Sequence, residues 1–317
     1  MLNIIAGRTG SGKTRYIRNL ATEIAKNESG KAVIIVPEQF SFETEKGMLE
    51  LLGNEKINNV EVLSFSRLSE RLLSQYGKLD KKSADDGTRA VIMSRAIESV
   101  EEELTIFSRY KKHPELISQI LDFHREIKKC KISNDQLEEY SKLVLKSSFS
   151  SKISELSVIF ACYDALMSKR FNDSTLYLDM LADLLTEVDY FKSKVVFFDA
   201  FSGFSGQEYS VLSEIMRQAE NVYVTFCCDT SKNNERYELF YNSMVEIKKL
   251  KGIANKIGVK IAPEKVLYAK KEFKKDELNF LEENFFANND NDYNEDASAI
   301  TIIPCRTKAD ECNTVAA

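Results

Sequence analysis

The chain has 317 residues, 43% of them hydrophobic and 29% charged, with a net charge of −5 at neutral pH. That length and balance describe a globular protein of about two domains with a sizeable core. No run approaches the ~18 consecutive apolar residues of a membrane span. The first apolar run, residues 2–6, is too short for a signal peptide and leads into a glycine loop, so a cytoplasmic location is expected.

Residues 2–6 read as a short buried strand, and 13 to about 26 as a helix. Residues 32–36 form a second apolar strand, stopped by Pro37. Ser41 is placed to cap a helix running to about residue 52, with Glu43 and Glu45 in its first turn and Gly53 at its end. A third strand spans 60–63, followed by a helix over 66–76. Strands alternating with helices imply a parallel sheet covered on both faces.

From about 86 to 189 only helical periodicity is visible. Helices are expected near 88–103, 114–129, 152–168 and 176–188, and Ser133-Asn134-Asp135-Gln136 is a capping box opening another. His113 precedes Pro114 and His124 sits in a helix; with no nucleophile or metal-ligand neighbour, both read as surface or packing residues. Strands return at 195–198, running straight into Asp199, and at 222–227, closed by Asp229. A helix near 236–257 follows, then an Asn-rich loop or linker over 286–292. Residues 300–303 read as the start of one more strand. The expected division is 1–85 and 191–298 as two parts of one α/β domain, 86–190 as an all-helical insertion, and 299–317 as the opening of a further domain. A strand followed by an unfinished helix is a poor place to end a domain, so the chain is expected to be the N-terminal part of a longer protein.

Six cysteines are present, none in a CxxC pair, and Cys227-Cys228 read as small buried hydrophobes in a reducing compartment. The acidic balance gives no global sign of nucleic-acid binding, though one positive groove would suffice. Basic clusters at 125–131, 248–251 and 270–271 fit either solvated helix faces or phosphate tracks.

The strongest motif is Gly7-Arg8-Thr9-Gly10-Ser11-Gly12-Lys13-Thr14, a complete phosphate-loop pattern between a strand and a helix. Its glycines permit backbone dihedrals closed to other residues and let amides approach phosphates. Successive N–H groups form an anion nest at a helix N-terminus. Lys13 supplies a mobile charge for the β- and γ-phosphates, and the Thr14 hydroxyl is placed for Mg²⁺. ATP and Mg²⁺ are therefore the expected ligands. A second Mg²⁺ ligand comes from an acid at a strand end. Asp199 fits better than Asp229, because four apolar residues run directly into it. Ala200 follows it, and no acid appears until Glu208, which leaves no obvious base for hydrolysis.

Pro37-Glu38-Gln39-Phe40-Ser41-Phe42-Glu43-Thr44-Glu45 follows the second strand. With Gly7–Thr14 and Val62-Leu63-Ser64-Phe65-Ser66-Arg67-Leu68, it resembles the B-subunit family of the bacterial AddAB helicase-nucleases, across essentially the whole chain. The resemblance implies an α/β P-loop RecA-like (superfamily-1 helicase-like) parallel sheet split by an all-helical insertion, with a second RecA-like domain opening near Ala299. It implies a heterodimer with an AddA-type subunit that processes double-strand DNA ends for recombinational repair. A nuclease domain with an iron-sulfur cluster is expected only beyond these residues, so none of the six cysteines is assigned to it. In related helicases the equivalents of 37–45 and 64–67 contact single-stranded DNA. Gln39, Phe40, Ser64 and Arg67 are thus the DNA-binding candidates, although Phe40 and Phe42 could equally staple the helix to the core. Helicases read adenine with a glutamine upstream of the first strand; that strand begins almost at Met1, so weak base selectivity is expected. Two other readings stay open: a P-loop kinase, for which no arginine-bearing lid is seen, and a non-hydrolysing, ATP-regulated DNA-binding scaffold.

Overall fold

A computed structural model describes residues 1–27, 30–111, 113–143, 148–229, 239–268, 272–286 and 291–317. The chain opens with β1 (Leu2–Gly7), α1 (Lys13–Lys26), β2 (Lys31–Ile35), α2 (Ser41–Lys56), β3 (Val60–Leu63) and α3 (Phe65–Gln75). A helical stretch follows: β4 (Lys82–Ser83), α4 (Asp86–Ser99), α5 (Pro114–Lys129), α6 (Asn134–Leu143), α7 (Ser148–Arg170) and β5 (Phe171–Asn172). The chain then returns through α8 (Tyr177–Glu187), β6 (Lys194–Phe198), α9 (Gly206–Gln218), β7 (Asn221–Cys227), α10 (Tyr241–Lys256) and β8 (Lys265–Leu267). It closes with α11 (Asp276–Asn284) and α12 (Lys308–Ala316).

Six of the strands form one parallel sheet in the order β3-β2-β6-β7-β1-β8. Its strands are nearly continuous apolar runs because both faces are covered. Alternate residues divide between the faces. Ile4, Val33, Ile35, Phe198 and Val224 pack under α3, α8, α9 and α10. Ile5, Ile34 and Phe197 pack under α1 and α2. A separate core built around Met93, Ile120, Ile159 and Phe160 holds α4 to α7 together. β4 and β5 pair in parallel, tying the entry of this helical unit to its exit. Beside that join, Arg89 and Asp173 form a buried ion pair at 3.1 Å, and the guanidinium also reaches Ser174 Oγ. The pair leaves neither charge uncompensated in the interior.

Several expectations are corrected here. Ser41 does not cap α2. Glu38–Phe40 forms a 3₁₀ turn that feeds straight into the helix, so Ser41 is already helical and its buried hydroxyl has no partner. Gly53, at φ 66°, kinks α2 rather than ending it. Residues 300–303 pair with no strand among the described residues, and Ile302 is 90% exposed. β8 and α11 were not foreseen. The stretch 86–189 is not purely helical, because it contains β5, and a two-residue strand is invisible to periodicity. α8, read as part of the insertion, packs against α3 and α9 in the sheet's core. The Ser133–Gln136 capping box forms in both directions. Three readings fall wholly or partly outside the described residues: the start of the helix expected from 236, the 270–271 basic cluster and the middle of the 286–292 linker. Within the described residues, no helix is long and apolar enough to cross a membrane.

Candidate functional site

The Gly7–Thr14 loop joins β1 to α1. Gly10 and Gly12 have φ of 75° and 83°, where a β-carbon would strain the backbone. At Gly7 a β-carbon would fall 2.4 Å from Ser11 Oγ and 2.9 Å from the Leu267 carbonyl, so only glycine lets the loop fold this tightly. Ser11 Oγ is buried without a partner. α1 begins with no side-chain cap and no acid in its first turn. Its orphan N–H groups and positive dipole end are therefore uncompensated by the protein. Lys13 Nζ donates to the carbonyls of Gly7 and Arg8 at 2.8 and 2.9 Å, which parks its charge across the loop. Thr14 lies one residue further into α1.

A segment that the sequence did not flag covers this loop. Arg8 makes a two-pronged ion pair with Glu282 of α11, Nε to Oε1 and Nη2 to Oε2, both at 2.9 Å. The same guanidinium also donates to the Glu282 carbonyl. The Phe273 ring lies where a β-carbon on Gly10 would come within 2.7 Å of it. What remains above the loop is a cavity of about 50 Å³, bordered by Arg8, Thr9, Asp229 and Glu282. Cys227 is exposed, its sulfur 3.5 Å from Thr9 Oγ1. Burial pushes the neighbouring Cys228 thiol up to about 12, so only Cys228 matches the reading of a buried apolar pair.

Asp199 directly follows β6, which is separated from β1 by β7. Its carboxylate is 4% exposed and accepts a hydrogen bond from Thr225 Oγ1 at 2.6 Å. Ala200 sits at φ 65°, a left-handed conformation that costs a residue with a β-carbon roughly 1 kcal/mol. Glu208 is used locally: its carboxylate accepts from the Ser205 N–H while Ser205 Oγ accepts from the Glu208 N–H, a complete capping box on α9.

A second cleft of about 350 Å³ opens at the C-terminal ends of β2, β3 and β6. After β2 the chain moves outward to β3, whereas after β6 it moves inward to β7, so the cleft lies at a switch point of the sheet. Gln39 and Ser64 line it. The Ser64 hydroxyl already caps α3 by accepting from the Arg67 N–H. Phe40, in the 3₁₀ turn, and Phe42 are both exposed, at 38% and 77%, so the two rings do not staple α2 to the core. Arg67 does not line the cleft but lies between Glu38, which does, and Glu45, at 3.7 and 4.0 Å. Sequence reasoning missed Phe65 and Phe201, whose rings meet edge-on at 5.6 Å in the cleft wall. Aromatic runs near strand ends were the available signal. Phe65, Ser66 and Glu208 also border a larger groove of about 730 Å³ that leads to Arg125 and Lys129 of α5. His124 is buried in the helical unit, against Phe160 and Tyr163, and bonded to Asp164, as a packing residue would be.

The family model described as "ADDB, N-terminal" matches residues 4–282. The chain belongs to this AddB N-terminal family. Among its relatives, the ATP-dependent helicase/deoxyribonuclease B-subunit of Listeria innocua is 31% identical, over 99% of this chain and 27% of its own length. The protein of that name from Clostridioides difficile is 32% identical, over 83% of this chain and 23% of its own. One from a Thermoanaerobacter species is 28% identical, over 95% and 27%. The chain thus spans about a quarter of the length of these curated relatives.

Proposed function

We propose that this chain is the ATP-binding, DNA-contacting N-terminal region of a helicase-nuclease subunit that processes double-strand DNA ends for recombinational repair. The phosphate loop carries the reading. Two left-handed glycines and an uncapped, acid-free helix start form an anion seat, with Lys13 poised across it. The P-loop RecA-like assignment is supported by the sheet order, which sets the acid-bearing strand β6 across β7 from the loop strand β1. The residues fit a magnesium nucleotide. Ser11 Oγ is buried without a partner, and a β-carbon would fill the space at Gly7. The Thr14 hydroxyl and the Asp199 carboxylate are hard oxygen donors, as Mg²⁺ requires. Once bound, the ion would neutralise phosphate charge.

The switch-point cleft is the DNA-contacting surface in this proposal. Gln39 supplies polar contacts, Phe40 stacking, Ser64 the α3 cap that shapes the wall, and Arg67 a phosphate contact. An AddA-type subunit is the expected heterodimer partner, single- and double-stranded DNA the other partners, and the cytoplasm the location. A P-loop kinase is set aside by the family membership. Hydrolysis is slow in this reading, because Ala200 stands where a base is expected and Glu208 is held in its capping box. Phosphate release from saturating Mg-ATP, with and without single-stranded DNA, tests it. Slow release that DNA does not stimulate but that exceeds the Lys13→Ala background agrees. Robust DNA-stimulated release contradicts it and makes the region a working motor half. Complete absence of turnover favours the second reading, a non-hydrolysing, ATP-regulated scaffold, which the same two features support.

A further inference from the structure

Beside the phosphate loop, on the side away from Asp199, lies a cleft of about 380 Å³ between α1 and β8. Its floor is Ser11 and Gly12 of the loop itself. One wall is α1, where Tyr16 and Asn19, three residues apart, share a face. The other wall is the end of β8: Val266, Leu267 and Tyr268. The β1–β8 register pairs Gly7 with Leu267, so Tyr268 stands level with the start of the loop. The Tyr16 ring is already fixed, with Lys265 Nζ 4.2 Å above its centre and bonded to its hydroxyl. Tyr268, by contrast, is 73% exposed.

We propose that this cleft seats the nucleoside of the triphosphate and that Tyr268 is the platform on which the base stacks. The inference rests on the phosphate-loop reading and adds the site of the base. With Thr14 and Asp199 as the metal ligands of the proposed function, the γ-phosphate would lie toward Asp199, across β7. The nucleoside must then leave toward the opposite neighbour of β1, which is β8. There the cleft offers the make-up of a small-molecule site: apolar walls, one aromatic face and a few polar groups, among them the Asn19 amide. Every base has a π-face, so a stacking platform binds ATP and GTP alike.

The test is equilibrium binding of Mg-ATP, Mg-GTP and inorganic tripolyphosphate to the 317-residue chain and to Tyr268→Ala, Tyr268→Phe and Lys13→Ala. Tyr268→Ala should weaken ATP and GTP about tenfold, the scale of one lost base stack, and leave tripolyphosphate unchanged. Tyr268→Phe should restore both. The exposed position keeps the fold out of the comparison. If Tyr268→Ala leaves ATP unchanged while tripolyphosphate binds and needs Lys13, the nucleoside seat is overturned and the phosphate loop stands. If tripolyphosphate shows no Lys13-dependent binding, the phosphate-loop reading fails and the nucleoside seat with it.

Discussion

Glu282→Gln tests whether the closed phosphate loop limits nucleotide binding. The ion pair between Arg8 and Glu282 is two-pronged, and its side chains are only 26% and 16% exposed. Such a pair is stronger than a surface salt bridge; allowing for partial solvent screening, it is worth about 1 kcal/mol. Glutamine keeps the shape but turns one carboxylate oxygen into an amide donor facing a guanidinium donor. The cavity of about 50 Å³ over Arg8 and Thr9 is too small for a triphosphate, so in the proposed function binding follows displacement of this segment. The apparent dissociation constant then scales inversely with the open fraction. Losing about 1 kcal/mol from the closed form should tighten Mg-ATP roughly fivefold. The assay is an equilibrium titration with a fluorescent nucleotide analogue, run also on Arg8→Ala and the double variant. In the Arg8→Ala background the gain from Glu282→Gln should vanish, because its partner is gone. Unchanged or weaker binding in Glu282→Gln, or a gain that survives Arg8→Ala, refutes the reasoning.

Three further outcomes follow from the same geometry. Glu155 is a buried carboxylate that accepts from the Thr105 hydroxyl and from the amides of Thr105, Ile106 and Phe107. Burial pushes its pKa up, but these hydrogen bonds outweigh that and hold it below the ordinary value of 4.5. Its contribution to stability is complete above that ordinary value and is lost as pH falls through the lower folded one. Glu155→Gln should therefore cost about 2 kcal/mol in urea denaturation at pH 7, and the gap from wild type should narrow on the acid side; a gap that widens there contradicts the assignment. Ala200→Gly should raise thermal stability by about 0.5 kcal/mol, the relieved left-handed strain less the added chain entropy of glycine; a clear loss of stability would show that the methyl group packs usefully. Arg67→Ala should weaken single-stranded DNA binding and lower the salt slope by about one; a slope that does not move removes Arg67 from the phosphate contacts.

The sheet was largely legible because parallel strands buried on both faces leave plain apolar runs, as at 195–198 and 222–227. The tight turn over Gly7–Thr14, between β1 and α1, was legible because glycines at fixed spacing are required where the backbone turns left-handed, as Gly10 and Gly12 do. β8 was not, since three residues on a sheet edge, Lys265–Leu267, carry no run long enough to detect. The reverse error came at 300–303. β-branched residues there favour a strand only where a neighbouring strand and a half-buried surface receive them, and the described residues provide neither. Ser41 misled because a cap and a first helical serine look alike until the preceding turn is known. The cover over the loop was out of reach of any local pattern: Arg8 and Glu282 lie 274 positions apart. The switch-point cleft was half legible, since Gln39 and Ser64 were named from the resemblance, whereas Phe65 and Phe201 meet only through tertiary packing.

The central claim is that Gly7–Thr14 binds a nucleoside triphosphate. Its most direct test is titration of Mg-ATP and a non-hydrolysable analogue into the wild-type chain and Lys13→Ala, reading binding by calorimetry. The account predicts saturable one-site binding of both ligands that Lys13→Ala abolishes without loss of the fold. Binding that survives Lys13→Ala, or no binding by the folded wild-type chain, would contradict it.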